Sequence, residues 1–187
     1  MAARPSAGPV PMAAKPELEF FNGLGGFARN GREYVTVLTA GRTTPAPWIN
    51  VIASSGFGFQ VSAEGSGYTW AENSRENQLT PWSNDPVVDP AGEAFYVRDE
   101  VSGHFWTPTA QPIRYGGRYL ARHGFGYSRF EHEAHGIALD LLHYVPREDP
   151  IRISRLTLRN MLTKPAWNHL EVRTLRGVLS AIERKRG

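Results

Sequence analysis

Apolar and polar positions alternate with a period of two along most of this chain. Residues 33–38, 48–53, 58–62, 68–70, 94–99, 104–106 and 137–145 read as strands from this pattern and their strand-forming residues, and 127–133 alternates imperfectly. Such alternation predicts half-buried strands, because successive side chains on a strand point to opposite faces. Phe59 and Val61 fall on one face, and 137–145 reads as a strong strand ending at Pro146. Residues 151–160 form the last clear strand. Their apolar positions Ile151, Ile153, Leu156 and Leu158 slip phase by one, which predicts a β-bulge after Ile153. Asn30-Gly31, 64–67, 101–103, 115–118 and His135-Gly136 supply turn signals between the runs. About nine to eleven strands are expected, with no helix in the body, so the fold class is all-β, a sandwich of antiparallel strands.

Composition agrees with that reading. Glycine (19) and proline (14) are frequent enough to favour short strands and turns over long helices. No cysteine is present, which excludes disulfides and thiolate chemistry. The net charge of +3 resides in the last fifteen residues, where Arg173, Arg176, Arg184, Lys185 and Arg186 face only Glu183. The body is close to neutral and offers no electrostatic footprint for nucleic acid. No apolar run approaches a membrane span. Residues 1–16, rich in Pro and Ala, read as a flexible leader without the apolar core of a secretory signal, so a cytoplasmic location is expected. Residues 17–160 read as the domain. Residues 161–187 change character: 165–172 is compatible with a strand, 178–184 with a short helix, and no domain-closing strand is evident.

Several motifs invite chemistry and are better explained by structure. Asn22-Gly23-Leu24-Gly25-Gly26 is glycine-rich, but it departs from GxxxxGK[ST] and reads as a turn against the sheet. His132-Glu133-Ala134-His135 spaces its histidines three apart instead of the four that HExxH needs on a helix; exposed strand-end histidines are expected, and no metal. Glu131 and Glu133 share a strand face and are expected to be solvent-facing charges. No GxSxG elbow is present. No cofactor is implied.

The stretch 48–84 is different. It gathers Trp48, Trp70 and Trp82 among Asn50, Asn73, Arg75, Glu76, Asn77, Gln78 and Asn84. Aromatic plates among amides suit a pyranose, which offers C–H faces to stack and hydroxyls to hydrogen-bond. Trp48 and Trp70 lie on predicted strands and serve either the core or a ligand. Trp82 lies in the long polar loop 73–92, where function tends to concentrate. The candidate carbohydrate-binding residues are therefore Trp82, Asn84, Asn73, Arg75, Trp70 and Trp48.

The words EFFNGLGGF, NGREYVTVL, TPAPWINVIA, FGFQVSAEGSGYTWAENSRENQLTPWSNDPV, GEAFYVRDE, RHGFGYSRFEH, HGIALDLLHYVP and ISRLTLRN together span residues 17–160. They resemble the N-terminal β-sandwich domain of family-94 glycoside phosphorylases, formerly glycosyltransferase family 36. The wording is nearest to the phosphorylase-like part of cyclic β-1,2-glucan synthases. The resemblance implies a galactose-mutarotase-like super-β-sandwich, incomplete at its C-terminus, that binds carbohydrate. It also implies, as partner, an (α/α)6 barrel or a second subunit carrying a catalytic acid. The chain is thus expected to be a β-glucan- or oligosaccharide-binding domain with no catalytic residue and no activity alone, truncated or frameshifted after Asn160. Two alternatives stand beside it: a small mutarotase-like aldose epimerase drawing on His123, His132, His143 and Glu131, or a fragment that serves only in assembly.

Overall fold

The computed structural model describes residues 16–83, 85–161 and 170–175. Twelve strands and no helix occur among them: β1 Gly25–Ala28, β2 Glu33–Leu38, β3 Ile49–Ala53, β4 Phe57–Ser62, β5 Gly67–Ala71, β6 Ala94–Asp99, β7 Phe105–Trp106, β8 Tyr119–Gly124, β9 Tyr127–Ala134, β10 Ile137–Tyr144, β11 Ile153–Asn160 and β12 Leu170–Leu175. A six-stranded sheet runs β1-β2-β8-β9-β10-β11. Two three-stranded sheets run β3-β4-β5 and β12-β6-β7. Every pairing is antiparallel.

The six-stranded sheet supplies one side of the core. Ala121, Phe130 and Leu141 meet Ile52, Phe59, Val61 and Ala63 in one buried cluster, which joins this sheet to β3-β4. Ala134, Ile137 and Leu139 meet Val97 and Trp106 in a second, which joins it to β6-β7. Two small sheets lying on one large sheet make a super-sandwich. Each inward side chain in the β9–β10 hairpin alternates with an outward one without interruption, and the His135-Gly136 turn takes the left-handed φ values (+53° and +75°) that a tight hairpin demands.

The structure corrects two expectations. There is no bulge after Ile153: β10 and β11 pair in unbroken register from Ile137↔Asn160 to Tyr144↔Ile153. Ser154, not Ile153, occupies the inward position, because its Oγ meets the buried His143 Nδ1 at 2.8 Å. An inward serine broke the apolar pattern and mimicked a phase slip. Likewise His132 is not exposed. It is 2% accessible, stacked on Tyr119 at 3.7 Å between ring centres, with Nδ1 3.0 Å from the Arg118 carbonyl.

Strand β8 has no apolar signature at its Arg122-His123-Gly124 end, yet it sits centrally. Arg122 is accommodated by ion pairs to Glu131 (2.9 Å) and Glu33 (3.5 Å). The strand-compatible residues 165–172 are described from Leu170, where β12 pairs with β6 from Leu170↔Asp99 to Leu175↔Ala94. The leader 1–15 and the helix expected at 178–184 lie outside the described residues.

Candidate functional site

The β4–β5 register sets Gly58 opposite Trp70 and Gln60 opposite Tyr68. The β3–β4 register adds Val51 beside Gln60 and Ala53 beside Gly58. These residues share the outer face of the small sheet, away from the core. Trp70 lies flat across Gly58: a Cβ built there would stand 2.6 Å from Trp70 Cζ2 and 2.7 Å from the Ala53 methyl. Only glycine leaves room for the ring. Tyr68 packs on Trp70 at 5.3 Å, and Trp82 stacks on Tyr68 at 4.7 Å with the planes 14° apart. The three rings form a ladder running outward. Trp70 (9%) and Tyr68 (4%) are buried, whereas Trp82 is 41% exposed.

The loop that brings Trp82 there is fixed at both ends. After β5, Asn73 Oδ1 accepts hydrogen bonds from the Arg75 and Glu76 amides, turning the chain back. Leu79 and Thr80 amides then donate to the Thr69 carbonyl, and Thr80 Oγ1 accepts from the Thr69 amide at 2.8 Å. Glu93 gathers the far end. Its Oε1 accepts from Thr69 Oγ1 (2.7 Å) and Thr80 Oγ1 (2.6 Å), while Oε2 pairs with the Arg152 guanidinium, itself 4.2 Å over the Phe59 ring. Ser62 Oγ donates to Asp89 Oδ2 at 2.5 Å and Ser66 Oγ donates to the Pro90 carbonyl. Burial raises the Asp89 carboxyl above its ordinary range, partly offset by the Ser62 hydrogen bond.

Between this loop and the sheet lies a cavity of about 180 Å³. Ala46, Pro47 and Ile49 form one wall; Gln60, Ser66 and Gly67 the floor; Trp82, Asp85, Val88 and Asp89 contribute to the other wall. A larger cavity, about 260 Å³, lies on the six-stranded sheet beside Arg129, Glu131 and Asp140. On its wall Arg129 pairs with Asp140 and, at 3.5 Å, with Glu131. It has no aromatic platform, so the smaller cavity is the better match to a sugar.

The candidates from sequence fall in three places. Trp82 lines the cavity and Trp70 stands behind it in the ladder. Trp48 turns inward, half-buried against the core and edge-on to Tyr34 at 6.0 Å. Asn73 is committed to its turn and Arg75 is exposed beside Glu76, both outside the cavity lining. Asn84 lies outside the described residues. Tyr68, Gln60 and Asp89 were not singled out. Gln60 had a signal, being the one polar residue between the inward Phe59 and Val61; Asp89 had none that set it apart from Asp85.

The histidines named for epimerase chemistry do not converge on a cleft. Burial pushes His123 and His132 down to about 4 and His143 well below the usual imidazole range. Each meets a neighbour through Nδ1: Ser128 Oγ, the Arg118 carbonyl and Ser154 Oγ respectively. His135 sits at the hairpin tip against Trp106, Tyr115 and His104. Among the described residues, no three His, Cys, Asp or Glu side chains are grouped to hold a metal. Nor is any helix among them long and apolar enough to cross a membrane.

Comparison with known proteins fits this architecture. Residues 32–172 match the family described as "Glycosyl hydrolase 94, supersandwich domain". The chain belongs to this family. The match runs past Asn160 and takes in the start of β12. Among relatives, the cyclic beta-(1,2)-glucan synthase NdvB of Rhizobium meliloti is 50% identical over 145 residues, 77% of this chain and 5% of NdvB. Solabiose phosphorylase of Paenibacillus borealis is 33% identical, covering 74% of this chain and 18% of that enzyme. N,N'-diacetylchitobiose phosphorylase of Vibrio furnissii is 28% identical, covering 75% and 18%. This supersandwich domain therefore spans less than a fifth of each of these relatives, all large enzymes in which most of the length lies elsewhere.

Proposed function

We propose that this supersandwich domain is a non-catalytic, carbohydrate-contacting module that works beside a catalytic barrel domain or partner chain. Its ligand on this reading is a β-linked glucan or oligosaccharide, the class named for its relatives. The supporting observation is the half-exposed Trp82, held flat by Tyr68 at the wall of a cavity with amide and carboxylate floor and wall groups. A stacked ring loses little freedom when a sugar face lies on it, because its rotamer is already fixed. The burial of His123, His132 and His143, and the pairing of Glu131 with Arg122 and Arg129, support a binding role over an acid–base one.

Titration of tryptophan fluorescence with linear β-1,2-gluco-oligosaccharides tests the reading. Saturable change is expected in the wild type. Trp82→Ala should weaken affinity about three- to tenfold, the worth of one aromatic stack, while leaving the circular-dichroism spectrum of the fold intact. A wild type that shows no saturable response, or a Trp82→Ala variant of unchanged affinity, defeats it.

A further inference from the structure

We propose that the cavity beside Trp82 receives the terminal hexopyranose of a linear β-glucan end-on, with Asp89 and Gln60 as its hydrogen-bonding partners. The inference rests on the carbohydrate-contacting reading and adds a geometry to it. Three observations point to a chain end. First, the cavity holds about 180 Å³, well below the several hundred Å³ of a site that encloses a drug-sized ligand, and suited to one ring. Second, the loop is sealed to the floor at one end. Ser62 grips Asp89, Ser66 grips the Pro90 carbonyl, and Gly92 is so close that a Cβ there would lie 2.7 Å from the Pro81 carbonyl and 2.9 Å from that of Gly67. A polysaccharide running through the cleft would have to pass that seam. Third, the polar groups lie inside, where a ring's terminal hydroxyls would reach them. Asp89 keeps acceptor capacity beyond the Ser62 bond, and Gln60 offers both donor and acceptor. Trp82 closes the wall as a stacking plate.

A cyclic glucan has no chain end, so it discriminates between end-on and side-on binding. Isothermal titration of the whole chain with linear β-1,2-gluco-oligosaccharides and with cyclic β-1,2-glucan makes the comparison. The linear ligand should bind roughly tenfold or more tightly than the ring. Methyl β-D-glucopyranoside should compete with it. Asp89→Asn and Gln60→Ala should each reduce linear-ligand affinity by about tenfold, the loss expected when a hydrogen bond to a sugar hydroxyl goes. Gln60 is only part-buried, so its variant reports even where Asp89→Asn disturbs the loop. Equal affinity for ring and linear chain, or affinity unchanged in Gln60→Ala, overturns end-on recognition. If Trp82→Ala still weakens binding in that case, the carbohydrate-contacting role survives alone. Failure of both ligands to bind the wild type overturns both.

Discussion

Trp82, Tyr68 and Trp70 show what a single residue type can and cannot reveal. The sequence announced three tryptophans in one stretch, and all three turned out to be held by neighbours, but in different ways. Trp48 packs half-buried against Tyr34 and the core, Trp70 lies buried under the loop, and Trp82 is the most exposed of the three. The strand expected at 48–53 did not separate Trp48 from Trp70: β3 begins one residue later, at Ile49, and leaves Trp48 against the core, whereas Trp70 lies within β5 on the outer face. The buried histidines allow a prediction at this scale. His123 and His132 are pushed down to about 4, and His143 is also lowered, by burial. Unfolded, each would titrate near 6.5. The unfolded chain therefore binds more protons between these values, so stability is full above pH 6.5 and drains as pH falls toward 4. His132 alone should account for about 3 kcal/mol of the loss. Urea midpoints measured from pH 7.5 to 4 should fall steeply below pH 6.5. A flat profile over that range would mean that these rings are solvated or charged in the fold.

At the scale of elements, alternation predicted most strands well because one face of each sheet packs on the other layer. It failed where polar side chains point inward. Ser154 and Ser128 each occupy an inward site beside a buried histidine, and Arg122 lies within a charged cluster. Such positions look irregular in sequence, yet the hydrogen bonds that justify them come from other strands 5 to 89 residues away. The loop 72–93 was equally opaque. Its length was visible, but the residue that anchors it, Glu93, bonds to Arg152 across 59 positions. Removing Glu93 tests the anchor. Glu93→Ala would leave the Arg152 guanidinium buried over Phe59 without its carboxylate, and breaking such a pair costs about 3–5 kcal/mol. It would also remove the acceptor shared by the Thr69 and Thr80 hydroxyls, so the loop end should loosen. Chemical denaturation should show the loss, and hydrogen exchange at residues 79–93 should speed up more than at β9 and β10. Uniform exchange rates would remove Glu93 from the anchoring role. Gly58→Ala is a second probe of the same face. Its methyl must displace the Trp70 ring or the Ala53 methyl, an overpacking cost of about 1–3 kcal/mol, and near-ultraviolet circular dichroism should register the moved indole.

On the scale of the whole molecule, the two kinds of sheet edge are managed differently. Among the described residues, strand β11 is an edge of the six-stranded sheet, with exposed Arg155 and Arg159, charges that discourage a second strand from adding. Among the described residues, strand β3 is the edge of its small sheet, with Ile49 (48% exposed) and Val51 (56% exposed) at alternate positions and no charge between Ile49 and Ala53. Residues 1–172 carry almost no net charge, so little electrostatic repulsion keeps copies apart. An exposed apolar edge on a near-neutral body is a template for pairing, whether with a neighbouring domain in a larger assembly or with another copy. The purified chain should therefore self-associate as its concentration rises, and Val51→Lys should suppress this, since the side chain is exposed and a lysine on an edge strand carries its charge into solvent. Sedimentation velocity over a wide concentration range measures both. A wild type that stays monomeric throughout, or a Val51→Lys variant that associates as readily, would show that β3 is not the adhesive edge and that the apolar row serves some contact other than strand addition.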